Sequence, residues 1–516
     1  MTRQALSLPK PHSQIVRAAT VVMIFFVASR VLGLLRDVVI SHQFGTSREL
    51  DAYFAAFNIP DLVFNVIAGG ALGSAFIPTF ASALAMQDTP RAWRLASAVL
   101  NLALVLLTAI AVALAILAPQ VVAATVARGF EPADQALTAN LMRWMLITPV
   151  VFGLSGIVMG ILNSYQHFLL PAAAPVVYNL AIIAGAVFLS PNWGVYGLVA
   201  GVIAGAFLHL LIQLPWLVRQ RMHYTSTLGL KNSDVYEVGR LMLPRTLGLA
   251  AVQINFLVNT ILASGLPAGR IAALSYAWRV MLLPEGIVAL SLATAVFPTF
   301  SAQMARKELD EFRNTFSNVL RTTLYLTIPA SAGLFMLGVP LIMLLFQRGE
   351  FDAHSTAQTA FALQFYTLGL FAHSGLEIIT RAFYAMHDTR TPVSISLAAM
   401  TLNVLLSVVL VTPLAQGGLA LANSIATILE MLILLIILRR RIGETGDRRL
   451  MLSVARILVG TLAMAAIIVP FAHNFSASGS LLIAGAGAVV GAIVYFGITL
   501  VLRSEEIWFV WRRVRG

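Results

Sequence analysis

The stretch SRVLGLLRD, residues 29–37, sets two arginines and an aspartate inside an apolar run that begins near Ala18. Arginine does not lose its proton, and its planar fork matches phosphate and carboxylate oxygens two at a time. At the centre of a bilayer it costs at least ~2.5–3.5 kcal/mol on insertion scales. At 1.5 Å per residue Arg30 lies about 18 Å into the run, too deep to snorkel easily, and Arg36 about 9 Å beyond it. The two are roughly 120° apart around a helix, so they line one cavity only if it is wide or the helix bends. Gly33, between them, offers a bend or a close helix approach. Asp37 returns nearly to the face of Arg30 but stands about two turns away, too far for a tight pair on a straight helix.

The same chemistry recurs further along. Arg279 precedes Pro284 and Glu285 in another apolar run, and Arg381 follows Glu377 by four residues, the favourable order for an intrahelical pair. Arg143 neighbours Trp144 near the start of its run and is read as snorkelling. Glu430 is a lone acid whose role stays open. The candidate binding residues are Arg30, Arg36, Asp37, Asp51 and Arg279, with Arg245, Glu285, Glu377 and Arg381 as secondary candidates. Two readings compete for the first group. One is an internal ion-pair network among Arg30, Arg36, Asp37, Asp51 and Asp61. The other is a chamber of guanidiniums that attracts an anionic, phosphorylated substrate and repels cations. No metal-ligand spacing, phosphate-loop glycine pattern or nucleophile constellation stands out, so neither an enzyme nor a cofactor is expected. With no cysteine, disulfide and thiolate chemistry are excluded.

These residues sit in a chain of 516 residues that is 59% hydrophobic and 11% charged. A soluble protein carries about a quarter charged residues, so this is an all-α polytopic membrane protein. The apolar runs are too long for barrel strands, and the first is too long for a cleavable signal. Fourteen spans are read, near 15–40, 49–82, 95–118, 137–162, 169–190, 194–218, 240–263, 272–300, 317–340, 356–385, 391–412, 415–438, 451–472 and 479–502. Spans 2 and 8 are interrupted, by Pro60 and Gly69-Gly70 and by Pro284, and are expected to bend or tilt. With the N-terminus in the cytoplasm, 25 lysines and arginines fall on the cytoplasmic side, and only Arg48, Arg128, Arg270 and Arg348 fall opposite. That excess places both termini inside. It also accounts for the net charge of +12 without nucleic acid.

A repeat runs at an offset of roughly 220. AFIPTF at 75–80 recurs as AVFPTF at 295–300, SRVLGL at 29–34 as PRTLGL at 244–249, and YGLVAG at 196–201 as GGLALA at 417–422, while Pro171 matches Pro392. Six spans separate equivalent positions, so the halves face the same way, as in rocking transporters with a site between two lobes. The expected division is an N-terminal lobe at 1–218, a cytoplasmic linker at 219–239 and a C-terminal lobe at 240–438. A cytoplasmic loop at 439–450 follows, and 451–516 holds spans 13 and 14 with a basic tail.

SRVLGLLRD, FGTSRELDAYFAAFNIPDL, GALGSAFIPTF, GILNSYQHFLLPAAAP and RAFYAMHDTRTPV together resemble the MurJ (MviN) lipid II flippase family of the multidrug/oligosaccharidyl-lipid/polysaccharide exporter superfamily. The resemblance implies a flippase that moves lipid II, an undecaprenyl-diphosphate-linked disaccharide pentapeptide, to the outer leaflet of the bacterial cytoplasmic membrane by alternating access. It implies that Arg30, Arg36, Asp37, Asp51 and Arg279 surround the diphosphate and headgroup, and that spans 13 and 14 hold the polyprenyl tail. Partners are then lipid II or a related polyprenyl-diphosphate glycolipid and membrane lipids, with a monomer expected. The chain departs from some family members at Phe64 and Asn65, where they carry arginine, and at Gly69, where they carry glutamate. It also lacks an acid in span 7, which leaves coupling to a monovalent ion or to the membrane potential open. The rivals are an exporter of another lipid-linked oligosaccharide, a multidrug antiporter, which the sign of the charges disfavours, and a non-transporting scaffold.

Overall fold

A computed structural model describes the backbone of residues 11–69, 76–220, 222–443, 447–474 and 480–507; for 11–21, 67–69, 243–252, 447, 472–474 and 480–482 it describes the backbone alone. The chain forms two compact units, one of Met1–Phe44 with Ala52–Leu257 and one of Gly45–Asp51 with Val258–Gly516.

The first unit holds α1 (Pro11–Phe44), α2 (Arg48–Val63, entered from the second unit's Gly45–Asp51), α3 (Ile77–Ala85), α4 (Thr89–Ile116), α5 (Ala118–Ala124), α6 (Pro132–Met145) and α7 (Ile147–Ser164). It continues with α8 (Leu169–Ala184), α9 (Ser190–Trp193), α10 (Val195–Leu211), α11 (Leu214–Arg219) and most of α12 (Ser233–Ser264). The second unit adds α13 (Arg270–Pro284), α14 (Ser291–Ala305), α15 (Leu309–Met336), α16 (Gly338–Phe346), α17 (Ala353–Thr367), α18 (Leu370–Ala385), α19 (Arg390–Ile442), α20 (Asp447–Asn474) and α21 (Ser480–Val501). The fourteen intervals read from hydropathy lie mainly on helix, with turns or bends at residues 117, 146, 194, 212–213, 337, 368–369 and 502; residues 70–75 and 479 lie outside the described residues. Among the described residues eight helices are long and apolar enough to cross a membrane. The number is nine if α15 and α16, bent by 77°, form one broken span.

The two interrupted spans do not simply kink. Both widen into a π-helical turn, Phe64–Gly69 after α2 and Glu285–Leu290 after α13. A proline precedes each turn, Pro60 by four residues and Pro284 by one, and lacks the N–H that an α-helical ladder needs. The turns begin 221 residues apart. The same offset, 220 or 221, links three pairs of positive-φ residues: Gln87 with Lys307, Gln166 with His387, and Gly194 with Ala415. The repeat seen in the sequence is thus written into the local backbone of each unit.

Packing follows residue size. In α10, Gly197, Gly201 and Gly205 recur every fourth position, which allows α8 to approach backbone to backbone. A Cβ on Gly201 would stand 2.9 Å from the Ala181 carbonyl oxygen, and one on Gly197 2.4 Å from the Ser190 nitrogen. At Gly33 the expected close approach is absent: α1 runs through it, and a Cβ there meets nothing within 4 Å.

The core of the first unit gathers Phe76, Phe80, Trp93 and Ile161; that of the second gathers Phe300, Phe312, Tyr325, Phe383 and Tyr495. The segment read as a linker lies along α4. Thr225 N–H donates to Ser97 Oγ at 3.1 Å, Asn101 donates to the Thr225 and Thr227 carbonyls, and Arg91 makes a bidentate pair with Asp234 at 2.6 and 2.8 Å. The division between units therefore falls within α12. The helices outside the repeat, α20 and α21, pack with α15. Tyr495 Oη donates to the Tyr325 carbonyl at 2.7 Å, and buried Arg321 donates to Glu505 at 2.9 Å and to Glu506 at 2.7 Å.

Candidate substrate-binding residues

In the first unit Arg30 is exposed on α1 between exposed Val27 and Val31, with its guanidinium 5.2 Å from the Phe26 ring centroid one turn back. Cation–π contact of this kind partly shelters a charge without consuming its hydrogen-bond donors. Among the described residues no carboxylate pairs with Arg30.

Arg36, a turn and a half further on, is held from two sides. Its Nε and Nη2 donate to Asp37 Oδ1 at 3.1 and 2.9 Å, and its Nη1 donates to Asn179 Oδ1 on α8 at 3.1 Å. Asp37 is buried and Arg36 half-buried. Asp37 pairs with its neighbour Arg36, as the ion-pair reading had it for these two, and not with Arg30 two turns away. Arg36 borders a cavity of about 390 Å³ whose polar lining also includes Asp61, Thr148, Tyr178 and His209, with Phe57, Phe64 and Phe152 as apolar wall. Asp61 accepts from Gln253 Nε2 at 3.0 Å. Below the wall His209 shares a hydrogen bond of 2.7 Å with Ser155, which also accepts from Gln213 at 2.8 Å.

In the second unit Asp51 is 1% exposed, and both its oxygens are taken. It accepts from the Gly269 N–H at 2.6 Å and the Ala272 N–H at 2.8 Å, with Arg48 at 3.9 Å. These are orphan donors at the start of α13, so Asp51 acts as a helix cap borrowed from another part of the chain. Arg279 is half-buried midway along α13. Glu285 lies in the π-helical turn that follows, and one of its oxygens is buried without a hydrogen bond. Glu377 on α18 stands 3.2 Å from Arg381 Nη2, as the i,i+4 spacing predicts, although the angle is not that of a hydrogen bond. Arg245 belongs to α12, but its side chain lies outside the described residues. Arg143 donates to the Ala115 carbonyl and to Asn140, at an exposed position. Glu430 accepts from Ser396.

An apolar cavity of about 370 Å³ opens between α15, α20 and α21, lined by Leu326, Leu334, Met464, Ile468, Tyr495 and Phe496 among others. Its lining offers almost nothing to a polar ligand and suits a hydrocarbon chain. On the loops, the FYAMHDTRTP stretch forms the turn between α18 and α19. His387 takes positive φ, and Asp388 accepts from the Thr391 N–H at 3.0 Å and its hydroxyl at 2.6 Å, and from Arg441. Burial would raise the Asp388 pKa, but the two Thr391 bonds and Arg441 outweigh it and hold the carboxyl down at about 2. Asp234 is likewise held below its ordinary value, by the hydrogen bond from Arg91.

A family profile described as Lipid II flippase MurJ matches residues 40–486. The chain belongs to that family. A lipid II flippase MurJ of Burkholderia cenocepacia is 32% identical over 511 residues, covering 96% of this chain and 98% of its own. A probable lipid II flippase MurJ of Vibrio cholerae is 31% identical over 440 residues, covering 82% of each. Among solved structures, a lipid II flippase MurJ in an inward closed conformation matches with a TM-score of 0.80 and 27% identity, over 94% of this chain and 100% of that one. An inward-facing multidrug MATE transporter of the MOP superfamily shares the fold at a TM-score of 0.70 and 16% identity over 83% of this chain. The chain is therefore a membrane transporter of the MurJ family and not an enzyme.

Reading charges alone missed the amides. Asn179 and Gln253 bond to the two charged residues of the 390 Å³ cavity, and neither carries a charge to attract notice. The available signal was Asn179 itself, the sole amide in the apolar helix LLPAAAPVVYNLAIIA.

Proposed function

We propose that this protein flips lipid II from the inner to the outer leaflet of the bacterial cytoplasmic membrane. Its membership of the MurJ family over nearly the full chain carries this reading. The diphosphate is contacted by Arg30, Arg36 and Arg279. Asp37 holds Arg36, Asp51 braces the helix that carries Arg279, and Arg245, Glu285, Glu377 and Arg381 make secondary contacts with the headgroup. Arg30 supports this with an exposed guanidinium in mid-helix that pairs with no carboxylate among the described residues, and Arg36 with a place on the wall of a cavity.

The headgroup is too polar to cross hydrocarbon. The parallel repeat supports its carriage by alternating access, while the polyprenyl tail stays in lipid and rests on the apolar cavity of α15, α20 and α21. The excess of cytoplasmic arginines supports both termini inside, and the protein acts as a monomer.

The test is complementation of a strain depleted of its own flippase. The wild-type chain restores growth, and Arg30→Ala and Arg279→Ala fail at equal protein level. Rescue of a capsule or O-antigen defect, and not of cell-wall synthesis, would instead assign another lipid-linked oligosaccharide.

A further inference from the structure

Arg36 has five N–H donors, and three of them are accounted for by Asp37 and Asn179. Two remain without a partner among the described residues, on a guanidinium that borders the 390 Å³ cavity. What fixes the direction of those two is the pair of residues gripping the others. Asp37, the next residue on the same helix, takes the Nε edge. Asn179 takes Nη1 from across the helix interface, and it is 6% exposed.

The orientation of the Asn179 amide is itself determined. Its Nδ2 donates to the Pro175 carbonyl at 3.0 Å and to the Ser29 carbonyl at 3.4 Å. Both partners only accept, and Arg36 only donates, so the flipped amide would face donor with donor and acceptor with acceptor. Asn179 therefore presents its oxygen, and only its oxygen, to Arg36. An aspartate could grip one edge alone; the second grip stops the guanidinium from swinging about its long stem.

We propose that Asn179 is a positioning residue for substrate: it holds the Arg36 fork so that its two remaining N–H groups meet the anionic oxygens of the diphosphate. This rests on the reading of Arg36 as a diphosphate contact. Removing the grip leaves the charge in place but frees the fork, so binding weakens through orientation.

The experiment measures lipid II binding by the purified full chain in detergent, with a thermal melt of each variant. Asn179→Ala removes the oxygen and both Nδ2 bonds. Asn179→Asp keeps an acceptor for Arg36 and loses the bonds to Ser29 and Pro175. We expect Asn179→Ala to weaken binding on the order of tenfold, Asn179→Asp, whose second oxygen would face the Ser29 and Pro175 carbonyls, to lose less than Asn179→Ala because it still accepts from Arg36, and neither variant to lose anything further in an Arg36→Gln background. Equal losses for the Ala and Asp variants would reduce Asn179 to a tie between helices, as would a loss by Asn179→Ala that persists without Arg36. Undiminished binding by Asn179→Ala would also overturn the proposal. Wild-type binding by Arg36→Gln alone would overturn the underlying reading instead. If Asn179→Ala does not fold, Asn179→Asp decides in the Arg36→Gln background: a loss that disappears there supports the proposal, and one that persists overturns it.

Discussion

Ala415 adopts the backbone conformation of Gly194, its counterpart 221 residues earlier: φ 48° and ψ −129° against φ 54° and ψ −139°. Glycine reaches this region freely, whereas a Cβ is strained there by about 1–3 kcal/mol. The residue marks the kink between two helical runs within Arg390–Ile442. Ala415→Gly should therefore stabilise the protein by about 1 kcal/mol, net of the greater freedom of glycine when unfolded. Differential scanning of the purified protein would read this as a higher melting temperature. A lower one would mean that the alanine methyl contributes more by packing than it costs in strain.

Glycine matters for another reason in α10. A Cβ at Gly197 would meet the Leu189 carbonyl carbon at 2.5 Å and the Ser190 nitrogen at 2.4 Å, and backbone cannot yield as a side chain can. Gly197→Ala is expected to cost about 1–3 kcal/mol by overpacking. Gly33→Ala, with open space around it, serves as the control and should fold as well as wild type or better. Fluorescence-monitored thermal melts compare the two.

Asp51 makes a third case. Replacing it by Ala leaves the Gly269 and Ala272 N–H groups buried without an acceptor. A cost of about 1–3 kcal/mol follows for each orphaned group that water cannot reach. Asn retains one acceptor oxygen and should recover part of the loss. The same melts check the order: wild type, then Asp51→Asn, then Asp51→Ala.

The Asp388 turn supplies a pH dependence with a definite sign. An unfolded aspartate titrates near about 3.9, and the folded one is held down at about 2. Its contribution is present above pH ~4 and is lost as pH falls from there through the folded value. Arg441 is partly exposed, so the whole contribution is about 1 kcal/mol at most. Asp388→Asn should melt below wild type at pH 7, and the gap should shrink between pH ~4 and pH ~2.

The helices were legible in the sequence because hydropathy is a local property. The repeat was legible because four short strings kept their order. Pro60 and Pro284 announced the interruptions, but not that each would become a wider π-helical turn, which depends on how the ladder re-forms after the missing donor. The charged candidate residues were equally visible, since arginine in an apolar run is conspicuous. Their partners were not. Asp51 caps a helix more than two hundred residues away, and Asn179 grips Arg36 across 143 positions. Such pairings are set by tertiary packing, and no spacing rule along the chain encodes them. Arg381 and Glu377, one helical turn apart, paired as expected for the opposite reason.

Recognition of a lipid-linked diphosphate by guanidiniums, as proposed, is isolated at Arg30, which is exposed and whose removal breaks no ion pair among the described residues. Native mass spectrometry of the purified protein with lipid II, against undecaprenyl phosphate as control, tests it most directly. The wild-type chain should favour lipid II, and Arg30→Ala should lose that preference by about tenfold or more, the worth of a charge-assisted hydrogen bond. An Arg30→Ala protein that melts like wild type and still prefers lipid II to the same degree would rule out diphosphate recognition by Arg30.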